Sequence, residues 1–170
     1  MKVTIFKDVF KKEDPHHIQL ETALSRIQEG KSKKLIEEVR SGNKDKKKKL
    51  PIVCFSGEFS SRADDALFEH SGLIVLDFDH VNVEETIQAL GTDDYIRSCW
   101  VSPSGDGVKA LVKITNPERH RDHFRSLISY FDNEYCLHVD ESGANESRAC
   151  FESYDPNIII KDSSKPFGAF

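Results

Sequence analysis

The chain has 170 residues, of which 38% are hydrophobic and 31% charged, and its formal net charge is −5. This composition is typical of one globular domain with its own core, and no apolar run approaches the roughly 18 residues of a membrane-spanning helix. The N-terminus lacks the apolar segment of a signal peptide, and none of the four cysteines forms a CxxC pair, so we expect a cytoplasmic protein with reduced thiols and no membrane partner.

The first half of the chain is predicted to alternate strands with helices around a lysine-rich segment. Residues 31–49 contain nine Lys or Arg and three Asp or Glu, whereas the rest of the chain is acidic. Within it, the run at 44–49 is expected to be a mobile loop. The predicted elements are a strand at 2–6, a helix after Asp14-Pro15 with apolar residues at 20, 23, 24 and 27, a helix from Ser32 to near Gly42, a strand at 50–57 and a short helix at 62–70.

The second half is predicted to contain the central strand and the clearest helix. Asn116-Pro117 begins an amphipathic helix over 117–131, whose apolar face carries Phe124, Leu127, Ile128 and Phe131. The other elements are strands near 72–79, 96–102, 108–114, 147–154 and 157–161 and a helix at 83–90. These elements predict an α+β fold with a mainly antiparallel, RRM-like central sheet, in which 73–79, 108–114 and 148–154 are neighbours.

The stretch "SGLIVLDFDH" ends a buried strand with two aspartates, Asp77 and Asp79. Alternate residues of a strand point to the same face, so both carboxylates are expected to share one face. Two like charges held this close repel unless a cation or a proton intervenes. The motif therefore predicts a divalent metal site, and without metal a raised pKa for at least one of the two aspartates.

Two further stretches add candidate ligands for an anion and a metal. In "SPSGDGVK" the small residues Ser104, Gly105 and Gly107 leave backbone N–H groups to surround a phosphate, with Lys109 close behind. The stretch "HVDESGANESRACFESYDP" supplies a third carboxylate, Asp140, and a guanidinium, Arg148. Together these residue types match the needs of metal-dependent chemistry on a triphosphate.

The order of these three stretches, with "LPIVCFSGEF" upstream, resembles the VirE N-terminal domain family of bacterial mobile elements, which is related to the archaeo-eukaryotic primase superfamily. The resemblance covers about residues 50–160 well and implies one primase-like domain, with 1–49 as an N-terminal annex and 50–160 as its core. It also implies that the chain is the N-terminal part of a longer protein with a helicase-like region.

Carried over by residue, the resemblance makes Asp77, Asp79 and Asp140 the catalytic ligands of two Mg²⁺ or Mn²⁺ ions. Ser102, Ser104, Gly105, Lys109 and Arg148 then bind a nucleoside triphosphate, and Lys46, Lys47, Lys48 and Lys49 bind DNA, either single-stranded or template-primer. Lys109 replaces the histidine that primase relatives usually carry, so the resemblance implies a nucleotidyltransferase whose activity is either kept or lost.

Two alternatives stay open at this point. One is a non-catalytic domain with a primase fold that binds nucleic acid or a replication partner. The other is a HAD-like phosphohydrolase, because "IVLDFDHVNV" also fits the first motif of that class, with Asp77 as nucleophile and Asp79 as acid or base. A parallel sheet with helices on both faces would favour the phosphohydrolase.

These hypotheses make three structural predictions. Asp140 is expected to lie beside the two aspartates, within reach of a common cation. Lys109 is expected on the strand face that carries Asp77, because Val108 and Ala110 point into the core. The lysine run at 44–49 is expected at the mouth of the same cleft, with nothing of its own to pack against.

Overall fold

A computed structural model of the chain describes residues 1–168. Its first half contains five strands and two α-helices, followed in the second half by five strands and two more α-helices. The first-half elements are β1 (Lys2–Phe6), β2 (His16–Gln19), α1 (Leu20–Glu29), α2 (Lys33–Arg40), β3 (Ile52–Cys54), β4 (Gly57–Phe59) and β5 (Leu67–His70). The second-half elements are β6 (Leu73–Phe78), α3 (Val83–Thr92), β7 (Ile96–Val101), β8 (Val108–Lys113), α4 (His120–Tyr135), β9 (Cys150–Phe151) and β10 (Ile159–Ile160).

The strands form two four-stranded sheets and one hairpin. The central sheet has the order β10-β7-β8-β6, the N-terminal sheet has the order β2-β1-β3-β9, and β4 pairs with β5. Every pairing between these strands is antiparallel. The α+β class and the antiparallel sheet are therefore confirmed, and the phosphohydrolase alternative loses the parallel sheet on which it depends.

The central sheet lies between two apolar layers because its strands alternate. Ile74, Leu76 and Phe78 of β6 pack with α4, which contributes Phe124, Leu127 and Phe131 to the same cluster. The predicted apolar face of this helix is thus confirmed, although the α-helix proper begins at His120 after a short 3-10 turn over Pro117–Arg119. The opposite face of the sheet packs on the N-terminal sheet and α1 through Leu73, Val75, Trp100 and Leu111.

Three predicted elements are wrong at least in part. The helix expected directly after Asp14-Pro15 begins only at Leu20, because residues 16–19 form β2 and pair with β1. The strand expected near 148–154 is reduced to β9, which pairs with β3 in the N-terminal sheet and is not a neighbour of β6 or β8. The residues that follow β9 are polar and do not continue the strand. The buried carboxylate of Glu152 accepts hydrogen bonds from Arg26 on α1 and from Ser32, which precedes α2. The helix expected at 62–70 is instead a 3-10 turn over Asp64–Ala66 followed by β5, because Leu67 and Glu69 pair with β4.

The first 49 residues share a sheet with the rest of the chain. β1 is hydrogen-bonded to β3, and β3 to β9, so strands from both sides of the expected boundary at residue 49 belong to one sheet.

None of the helices described within residues 1–168 combines the length and apolarity that crossing a membrane requires. All four cysteines are free thiols. A cytoplasmic location stays a prediction.

Candidate functional site

Asp77 lies at the end of β6, between a lysine and an arginine. The register of the sheet places it directly opposite Lys109 on β8, and both side chains are almost completely buried. One carboxylate oxygen accepts a hydrogen bond from Lys109 Nζ, and the other accepts one from Arg148 Nη2 at 3.0 Å. Asp77 and Lys109 therefore share one face of the sheet, as the alternation predicted.

The two cations reverse the expected titration of Asp77. Burial by itself would raise the pKa of this carboxyl, but the Lys109 ammonium and the Arg148 guanidinium hold the pKa below its ordinary value. The expectation that repulsion raises the pKa is wrong for Asp77, because Lys109 and Arg148 each donate a hydrogen bond to its carboxylate.

Asp140 completes this cluster. Its backbone N–H donates to the Asp77 carbonyl at 2.8 Å, and its carboxylate accepts from Arg148 Nη2 at 2.9 Å and from the Ser142 backbone N–H at 3.0 Å. Asp77 and Asp140 are thus brought together across a long stretch of sequence. We call Asp77, Lys109, Asp140 and Arg148 the ion cluster.

The ion cluster contains two carboxylates and two cations, so it is neutral without a metal. The oxygens of Asp77 that would bind Mg²⁺ or Mn²⁺ already accept hydrogen bonds from Lys109 and Arg148. Among residues 1–168 no group of three or more His, Cys, Asp or Glu side chains is arranged to hold a metal ion. In this arrangement the predicted ligands Asp77, Asp79 and Asp140 do not fit a two-metal site.

Asp79 has a different environment from Asp77. β6 ends at Phe78, and the Asp79 side chain is exposed. It lines a polar cleft of about 500 Å³ between the end of α2, the lysine-rich segment and the two loops that follow β6 and β7. The lining residues are Val39, Arg40, Gly42, Lys44, Lys47, Asp79, His80, Ser104 and Asp106.

The turn between β7 and β8 forms one wall of the polar cleft. Two of the backbone N–H groups expected to surround an anion are used within the turn, since Gly105 N donates to the Ser102 carbonyl at 3.0 Å and Gly107 N to Ser102 Oγ at 3.1 Å. A Cβ at Gly107 would meet the Phe78 carbonyl at 2.8 Å, which explains the glycine there. Ser104 reaches the cleft, whereas Ser102 is buried.

The lysine run forms a 3-10 helix over Lys44–Lys49 instead of a loop with nothing to pack against. Lys46 Nζ lies 3.2 Å from Glu38 on α2, and Lys47 Nζ lies 5.2 Å from the centre of the Phe151 ring. The lysine run was expected at the mouth of the cleft. This is supported in part, because Lys44 and Lys47 line the polar cleft, whereas Lys48 and Lys49 are exposed and are not among its lining residues.

Arg40 was missed by the sequence analysis. Its Nη2 donates to the carbonyls of Ser102 and Tyr154, both at 3.0 Å, and its aliphatic stem lies 3.5–3.6 Å from where a Cβ on Gly105 would be. No motif indicated this role, because Arg40 lies at the end of α2, far from these partners in sequence.

His80 and Asp106 were also missed. His80 Nδ1 lies 2.8 Å from Asp106 Oδ2, and Val81 N donates to the Asp106 carbonyl at 3.1 Å. His80 has a left-handed backbone with φ of 53°, an uncommon conformation outside glycine. Its position directly after Asp79 was the one available signal.

A family model for the BT4734-like N-terminal domain matches residues 45–159, about two thirds of the chain. The chain belongs to the BT4734-like N-terminal domain family. The matched range contains β3 to β9, the ion cluster and five of the nine residues that line the polar cleft. The other four, Val39, Arg40, Gly42 and Lys44, lie just before it. No curated protein and no solved structure matches the chain.

This membership corrects the resemblance inferred from the sequence. Assignment to the VirE N-terminal domain family, and through it to the primase superfamily, is wrong because the matching family is a different one. In this BT4734-like N-terminal domain, the evidence for function therefore comes from the geometry of the ion cluster and the polar cleft.

Proposed function

We propose that this domain binds single-stranded nucleic acid without catalysis, by holding backbone phosphates in the polar cleft. The observation that carries the proposal is the meeting of Arg40, Lys44 and Lys47 in one cleft that is open to solvent. Lysine and arginine side chains supply most of the affinity of proteins for phosphate backbones. Lys48 and Lys49, both exposed on the same 3-10 helix, would extend this positive surface beyond the cleft.

The ion cluster supports a binding role over a catalytic one. A two-metal mechanism needs carboxylate oxygens with free lone pairs, and those of Asp77 are used by Lys109 and Arg148. Removing either cation to admit a metal would leave a buried charge without its partner, which is costly. The cluster is thus better suited to fixing β6, β8 and the segment around Asp140 than to chemistry.

The strand order also bears on where nucleic acid would bind. The succession β6-α3-β7-β8-α4, with β8 between β6 and β7, supports an RRM-like central sheet. RRM domains stack bases on the open face of their sheet. Here that face is covered by the N-terminal sheet, with Trp100 and Leu111 fully buried, so we place contact at the strand ends beside the cleft.

The test is oligonucleotide binding as a function of salt. We expect the double variant Lys44→Ser/Lys47→Ser to bind single-stranded DNA more weakly than the unmodified domain. Losing two phosphate contacts should lower the slope of log K against log salt by about 1.4 in magnitude. Fluorescence anisotropy with a labelled oligothymidylate at several salt concentrations measures both quantities.

A matched control is Lys34→Ser/Lys113→Ser, which removes the same charge from two exposed lysines that do not line the cleft. We expect this control to keep the unmodified slope. If the two double variants change the slope equally, or if neither changes it, the cleft is not a phosphate site and the proposal is wrong.

One observation favours a second candidate, metal-dependent nucleotidyl transfer. Asp79 and Asp106 line the same cleft as the three cations, so a nucleotide bound as its Mg²⁺ or Mn²⁺ complex would find groups of both signs. A primer-extension assay with both metals, comparing the unmodified domain with Asp79→Ala, separates the candidates. Incorporation that is lost in Asp79→Ala would establish the enzyme, whereas binding without incorporation supports our proposal. A helicase-like region and other DNA partners in a longer protein remain proposals.

A further inference from the structure

A pair of histidines far from the polar cleft connects two parts of the fold. His70 is the last residue of β5, and His120 is the first residue of α4. His70 Nε2 lies 3.0 Å from His120 Nδ1, and His120 is only 3% exposed. Neither residue takes part in the function proposed above, so their arrangement needs its own explanation.

The hydrogen bonds fix the protonation of both rings. Gly72 N donates to His70 Nδ1 at 2.8 Å, which makes that nitrogen an acceptor. In a neutral ring the proton is then on Nε2, where it is donated to His120 Nδ1. A further proton on His120 Nδ1 would put two donors face to face, so the pair is compatible only with neutral imidazoles.

The surroundings also disfavour a charge on the pair. Burial lowers the pKa of His70, and burial together with the neighbouring His70 lowers the pKa of His120 to about 4. Arg121 and His123 on α4 act in the same direction, and Glu146 from the segment before β9 opposes them. On the side of β5, His70 borders a pocket that also contains Lys2, Glu58 and Glu69.

The pair joins the β4–β5 hairpin to the rest of the domain. The hairpin also has polar contacts to the N-terminal sheet, where Thr4 Oγ1 donates to the Gly57 carbonyl and accepts from Phe59 N, both at 2.9 Å, and His17 Nδ1 lies 2.8 Å from Glu58 Oε2. Between β4 and β5, Asp64 accepts hydrogen bonds from Ser147 N and Oγ and from Asn145 Nδ2, and pairs with Arg121 at 3.0 Å. The pKa of Asp64 is lowered, because these hydrogen bonds outweigh its burial, so it stays charged in mild acid. On the side of the hairpin that faces α4 and the segment before β9, mild acid therefore acts on His70 and His120 before it acts on Asp64.

We propose that His70 and His120 form an acid-sensitive latch, whose protonation releases the β4–β5 hairpin from the start of α4. An unfolded histidine has a pKa of about 6.5, so a group with a lower pKa in the folded state binds its proton mainly after release. The stability that the latch contributes is present above about pH 6.5 and is lost as the pH falls toward the folded pKa.

The first test is hydrogen exchange measured by mass spectrometry at about pH 7.5 and about pH 5, corrected for the intrinsic exchange rates. On acidification, protection in residues 57–71 should fall about tenfold more than protection in β6 and β8. A titration of the histidine ring protons by NMR should place the pKa of His120 well below the value of about 6.5 for an unperturbed histidine. Equal loss of protection in both regions, or a His120 pKa near that unperturbed value, would overturn the proposal.

The second test uses His120→Asn, whose side-chain oxygen can accept the His70 proton but cannot be charged in acid. We expect this variant to keep more of its hairpin protection at the lower pH than the unmodified domain does. The control is His138→Asn, because the His138 side chain is 87% exposed and its Nδ1 contacts Asp132, away from the hairpin. An acid response that is unchanged in His120→Asn would refute the latch. If that variant does not fold, the titration of the unmodified domain decides the question.

Discussion

Asp77 and Asp79 come from one short motif, yet the fold gives them opposite roles. Asp77 is buried, bonded to Lys109 and Arg148, and has a lowered pKa. Asp79 lies one residue beyond the end of β6, exposed at the polar cleft beside Lys44 and Lys47. A DxD pattern therefore does not by itself define a metal site. Where the strand ends, and which cations arrive from elsewhere in the chain, decides what each carboxylate does.

Among the variants that test this contrast, the one that removes Lys109 should change the free energy of unfolding most. Lys109→Met keeps the length of the side chain but leaves Asp77 buried with one cation fewer, so we expect the free energy of unfolding to fall by about 3–5 kcal/mol. Urea denaturation at neutral pH measures this change. The double variant Asp77→Leu/Lys109→Met should recover much of the loss. A single variant as stable as the unmodified domain would show that the ion cluster contributes nothing.

A second test uses acid to separate the two aspartates. Because the pKa of Asp77 is lowered in the folded state, its carboxylate stabilises the fold above the unfolded pKa of about 3.9, and this contribution is lost as the pH falls through the folded pKa. Asp77→Asn should therefore be less stable than the unmodified domain at neutral pH, and the difference should shrink in acid. Unfolding followed from neutral pH to about pH 3 tests this, and a difference independent of pH would contradict it.

The smallest effect on stability is expected for Asp79→Asn, the matched change at the other aspartate. The side chain is exposed, so the free energy of unfolding should change by less than about 0.5 kcal/mol. Removing a negative charge beside Lys44 and Lys47 should strengthen oligonucleotide binding by about twofold to fivefold. Anisotropy titrations measure this gain. Weaker binding instead would show that Asp79 contacts the ligand, as a metal-dependent nucleotide site requires.

Sequence patterns correctly predicted those parts of the fold that depend on a few consecutive residues. Alternation placed Asp77 and Lys109 on one face of neighbouring strands, and helical spacing identified the buried face of α4. Both are properties of a few consecutive residues, and the burial of one face is enough to fix them.

The features that the sequence did not predict depend on contacts between segments that are far apart in the chain. Nothing within residues 148–154 shows that this strand pairs with β3 instead of β6, and "LFEH" turned out to be a strand because β4 lies beside it. The expected rise in the pKa of Asp77 was wrong for a similar reason. That expectation counted carboxylates along the sequence, whereas Lys109 and Arg148 are brought to Asp77 only by the folded sheet.

Arg40 affects the entropic cost of the binding that we propose. Through its two hydrogen bonds, to the Ser102 and Tyr154 carbonyls, it fastens the end of α2 to the turn after β7. The 3-10 helix that carries Lys44 and Lys47 follows directly after that point, so both walls of the cleft are held at a fixed spacing before any ligand arrives. The conformational entropy of these walls is therefore lost when the domain folds, and binding a ligand would cost little further conformational entropy.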